Sequence, residues 1–161
     1  MSVTTRAGFA AEEWDLVVRL PRWIVAAASA AQQDLRYRTN IEVEAGFIAA
    51  ADGREIGNAF VTEVALQTMR IYDDRSGLHA IEFDDRETGI KSVLERARVV
   101  NTLLKEKVEV GDAMAYRRWL LTINDVVISA ARSGDFLGFG GTMVTAAELR
   151  FRDRLVLVLQ S

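Results

Sequence analysis

Side chains able to carry out chemistry are scarce in this chain. Its 161 residues hold one histidine, His79, and no cysteine. Without cysteine there can be no thiol nucleophile, no disulfide framework and no cysteine-based zinc or iron–sulfur site. One histidine excludes His-paired metal sites within a single chain and counts against histidine acid–base catalysis or a Ser-His-Asp triad. A di-iron helical bundle requires two Glu-x-x-His motifs, whereas Ser76 stands three residues before His79 and no second histidine exists. No metal and no cofactor is therefore expected. Carboxylate chemistry stays open, although no carboxylate pair is singled out by its spacing.

Two segments invite a ligand. Gly134 to Gly141 reads Gly-Asp-Phe-Leu-Gly-Phe-Gly-Gly, and Gly138, Gly140 and Gly141 suggest a phosphate loop. Five residues after Gly134, however, comes Phe139, and no lysine follows Gly141, so the P-loop spacing fails. A Rossmann turn starting at Gly138 would need its third glycine at Met143. The plainer reading is a loop whose glycines allow positive φ while Phe136 and Phe139 tuck into one end of the fold. The acidic run Asp73, Asp74, Glu82, Asp84, Asp85, Glu87 suggests a hard cation. An EF-hand register with Gly77 sixth would put Tyr72 first and Phe83 twelfth, so a solvated loop with Asp84 or Asp85 capping the next helix is favoured.

Twenty basic residues against 23 acidic ones give a net charge of −3. Only Lys91, Lys105 and Lys107 are lysines, an arginine bias that a GC-rich genome would also produce. The arginines of Arg36-Tyr37-Arg38, Arg117-Arg118 and Arg150-x-Arg152-x-Arg154 could gather around an anion, but pairing with nearby acids is their usual fate. They are interleaved with acids throughout, so no face for nucleic acid is expected. The most apolar stretch, Leu16 to Ala31, contains Arg19 and Arg22, which are costly in a bilayer. No membrane association and no secretory signal are expected, which leaves the cytoplasm.

The elements that would position these groups are helices. Pro21 is the only proline, and long amphipathic stretches recur between a few glycine breaks. The patterning predicts an all-α, single-domain bundle of about six helices spanning 1–161. The first covers about 10–33, apolar on more than one face, kinked or broken near Pro21. A short second helix follows a Thr39-x-x-Glu42 capping box and ends at Asp52-Gly53. A third covers 56–72, a fourth 86–108 with a Lys91–Glu95 pair, and a fifth runs from a Gly111-Asp112 cap to 133. The last follows Thr145-x-x-Glu148 and ends near 159. Leu78 to Phe83 alternates as a short strand or extended loop would.

Phe136-Leu-Gly-Phe-Gly-Gly141-x-x-Val144-Thr-x-x-Glu148, together with Glu12-Glu13-Trp14 and the continuation to Pro21, resembles a group of uncharacterised bacterial all-helical proteins. The resemblance covers about a quarter of the chain and implies a helical fold without an activity. Ala51-Asp52-Gly53 resembles the loop of tellurite-resistance-type helical domains, but Phe60 stands where those carry an acid.

The expected function is a non-catalytic interaction or assembly protein that self-associates, most simply as a dimer. Trp14, Trp23 and Trp119 lie in apolar helical stretches and are candidate interface or ligand residues with Phe136, Gly138, Phe139, Gly140 and Gly141. The first helix, with Trp14 and Trp23, is the expected seam. A binder of a small apolar or anionic ligand, with a pocket between the first and fifth helices, is the alternative. An enzyme using carboxylate or arginine chemistry comes third.

Overall fold

The structure, a computed structural model, describes residues 4–31, 36–73, 83–133 and 146–161. They form an all-α single-domain bundle of six helices: α1 (Ala11–Ala30), α2 (Arg36–Asp52), α3 (Ala59–Asp73), α4 (Arg86–Lys107), α5 (Val110–Ser133) and α6 (Ala146–Gln160). No described helix is long and apolar enough to cross a membrane.

The first helix is central. It contacts each of the other five, so its second apolar face is core. Val17, Leu20, Ile24, Val25, Ala27 and Ala28 are all buried along it. This removes the expected seam: Trp14 is core, and no broad apolar face of α1 is left for a partner. The expected break at Pro21 is also absent, because α1 runs through it as one helix. A proline cannot donate to the carbonyl four residues earlier. That carbonyl, on Val17, instead accepts a hydrogen bond from the Tyr116 hydroxyl of α5 at 2.7 Å. One residue on, the Thr68 hydroxyl of α3 reaches the Val18 carbonyl at 2.8 Å and the carbonyl of Val64 in its own helix at 2.9 Å. Tyr116 of α5 thus supplies the donor that the proline lacks, and Thr68 of α3 adds a contact to the next carbonyl.

Most helix boundaries follow the sequence. Asp85 caps α4 by accepting from the Thr88 amide at 2.9 Å, and all of Ile90, Val93, Ala97, Val100, Leu104 and Val108 are buried. Asn58 caps α3 through the Val61 amide, after Gly57 turns the chain with φ 83°. Three expectations are corrected. Thr39 lies inside α2 rather than capping it, because Glu42 turns inward to accept from Ser29 of α1 at 2.7 Å. Asp112 lies in the first turn of α5 and binds across the fold, accepting from the Thr4 amide and from Asn58 Nδ2. Glu95 pairs with Arg98 at 2.9 Å rather than with Lys91. Residues 78–82 of the expected strand and the Thr145 cap lie outside the described residues.

Candidate functional site

The longest helix contact is between α2 and α5, which run antiparallel. Gly46 makes the close approach feasible: a Cβ there would meet Val127 of α5 and Val25 of α1 at 2.7 Å. Two turns later, just past the end of α2, the Trp119 indole of α5 lies against Gly53 and donates to the Ala49 carbonyl at 3.4 Å. One side of the α2/α5 contact is therefore sealed by Trp119. The other side opens to solvent as a groove of about 560 Å³.

Its walls are mainly small or apolar. Ile41 and Ala45 come from α2, and Thr122, Val126, Ser129 and Ala130 come from α5. Thr122, Asp125 and Ser129, at steps of three and four on one face of α5, supply its polar rim. Asp125, also in the groove, accepts from Arg152 Nε of α6 at 2.7 Å. That bond and the charge of Asp125 hold the Arg152 pKa above its ordinary value. Both side chains are substantially exposed, so the pair contributes orientation more than stability.

Beside the groove, α2 presents Ile41, Ala45 and Ile48 at steps of four and three, on one helix face. Ile41 is 38% exposed and Ile48 54%. A monomer in water gains nothing by displaying branched aliphatic side chains in a row.

The residues singled out from sequence disperse rather than converge. Trp14 is 5% exposed, in a cluster with Phe9 and Phe60, and Trp119 is 2% exposed beside Tyr116. Trp23 is half-buried at the edge of α1, stacked near Phe83 with Arg96 3.9 Å from its ring centroid. Phe136, Gly138, Phe139, Gly140 and Gly141 lie outside the described residues, as does His79. Between α1 and α5, where a ligand pocket was expected, Val17, Leu20, Ile24, Tyr116, Leu120 and Ile123 fill the space. Burial pushes the Tyr116 hydroxyl pKa far above its ordinary range, so it is a neutral donor and not a base. Among the described residues, no three His, Asp or Glu side chains gather as metal ligands would.

Sequence reasoning missed three polar residues that organise this frame. Tyr116 replaces the donor missing at Pro21, Thr68 ties α3 to the Val18 carbonyl of α1, and Asn101 of α4 closes the end of α6. Asn101 Nδ2 donates to the Val158 and Ser161 carbonyls, both at 3.1 Å, while its Oδ1 accepts from Arg117 Nε at 2.9 Å. Pro21 was the available signal for Tyr116, since it announces one carbonyl, that of Val17, in need of a donor. No family model, curated protein or solved structure matches the chain.

Proposed function

We propose that the protein is a non-catalytic assembly module that pairs with a second copy of itself through the α2/α5 groove. The observation carrying this reading is the combination, on one surface, of an apolar ridge and a shallow groove lined by small residues. Such a surface is self-complementary about a two-fold axis, and the two-fold pair is the commonest closed assembly. Antiparallel pairing of α2 with its copy about Ala45 sets each Ile41 beside the partner's Ile48. The Asp125–Arg152 pair then forms part of a polar rim around the apolar contact. In this reading the pairing takes place in the cytoplasm, in keeping with a cysteine-free chain.

Sedimentation equilibrium at micromolar concentration tests the proposal. The expected species has twice the 17.9 kDa chain mass, and Ile48→Glu restores the single-chain mass with the helical circular dichroism spectrum unchanged. A wild-type species at the single-chain mass overturns self-pairing. A dimer that Ile48→Glu leaves intact overturns the groove as its seam.

A further inference from the structure

On another face, α4 and α6 border an open cleft of about 470 Å³. Thr88, Lys91, Ser92, Glu95 and Arg98 line it from α4, and Arg154 from α6, around a buried Leu94. Three of these groups are cations and one is an anion. The anion, Glu95, is already matched by Arg98 at 2.9 Å. Lys91, freed of the partner expected from its spacing, has no salt bridge among the described residues. The Ser92 hydroxyl likewise has no hydrogen-bond partner there, while that of Thr88 donates to Asp85. Among the described residues Arg154 is held only by Glu87, at 3.7 Å, with both side chains partly exposed. One turn earlier on α6, exposed Arg150 has no salt bridge among the described residues.

We infer that this cleft binds a compact oxyanion of the phosphate class, either inorganic phosphate or the phosphate group of a monoester. Lys91 and Arg154 contribute charge from opposite walls, and Ser92 contributes a neutral donor. The arginine fork can engage two oxygens of the same group while the lysine acts as a point charge on a third. Binding replaces the long Arg154–Glu87 contact by a shorter, better aligned one. The site lies apart from the α2/α5 groove, so it stands or falls independently of pairing.

Inorganic phosphate and glycerol phosphate, titrated separately into the full chain at low ionic strength and followed by amide chemical shifts, test the assignment. Saturable shifts confined to residues 88–98 and 150–158 are expected. The double variant Lys91→Gln/Arg154→Gln should weaken binding about tenfold or more, the loss expected for two charge-assisted contacts. Both side chains are exposed, and the variant's melting temperature checks that its fold is intact. Saturation by inorganic phosphate alone identifies the free ion, and tighter binding of glycerol phosphate identifies a monoester. Shifts that fail to saturate, that spread over all surface cations, or that persist unchanged in the double variant overturn the inference.

Discussion

The hydrogen bond from Tyr116 to Val17 makes a quantitative demand on the protein. Tyr116→Phe keeps the ring among Phe60 and Trp119 and removes only the hydroxyl. The Val17 carbonyl then loses its donor in a fully buried setting, and Pro21 cannot supply another. An orphaned buried acceptor costs about 1–3 kcal/mol. At roughly 2–4 °C per kcal/mol for a domain of this size, the melting temperature should fall by about 2–12 °C. Pro21→Ala restores an amide that can donate to the same carbonyl. In that background Tyr116→Phe should cost only about 0.5–1 kcal/mol, the net value of an ordinary hydrogen bond. The two substitutions should therefore be coupled by about 1 kcal/mol or more in a double-mutant cycle measured by urea denaturation. Equal costs of Tyr116→Phe in the two backgrounds would refute the idea that this hydroxyl replaces the missing proline donor.

Further substitutions probe the supporting contacts. Gly46→Val drives a branched side chain into Val25 and Val127 and should destabilise the fold by about 2 kcal/mol or more in urea titration. Asn101→Ala uncaps α6 and leaves Arg117 without its acceptor. It should cost about 1–3 kcal/mol, with amide hydrogen exchange quickening first in the last turn of α6. Asp112 governs acid sensitivity at the start of α5. Partial burial opposes its ionisation, but hydrogen bonds from Thr4 and Asn58 outweigh that and hold its pKa below the usual carboxylate value. Its contribution is present above the unfolded value of about 3.9 and is lost as pH falls through the folded one. Wild-type stability should thus fall more steeply than that of Asp112→Asn as pH drops below about 4, measured by thermal melts along a pH series.

The helical class and most boundaries are legible in the sequence because apolar periodicity and local caps decide them. Asp85 and the buried stripe of α4 are examples: the information lies within a few residues of the structure it determines. Where the deciding partner is distant, local reading fails. Thr39 and Glu42 have the spacing of a capping box, yet Glu42 is claimed by Ser29 on another helix. Lys91 and Glu95 have helical-pair spacing, yet Arg98 takes the glutamate. Pro21 breaks an isolated helix, whereas here Tyr116 arrives from α5 to supply the donor it lacks. The same limit explains the candidate site. A helix apolar on several sides signals either a seam or a centre, and only the five neighbours of α1 distinguish them. The stripe of Ile41, Ala45 and Ile48 carries no local signal that separates it from core, because its exposure is set by where α1 and α5 pack against α2.

The most direct test of the pairing model uses the absence of cysteine from the chain. Ala45→Cys introduces a single thiol where the two-fold axis of the proposed dimer crosses α2. A disulfide requires the two Cα atoms to lie within about 7 Å of each other, a distance that helices packed through small residues can reach. Mild oxidation, analysed on a non-reducing gel, should convert this variant to a covalent dimer. Leu66→Cys, at an exposed position on α3, should remain a single chain under the same conditions. Failure of Ala45→Cys to cross-link, or equal cross-linking of both variants, would contradict pairing through the α2/α5 groove.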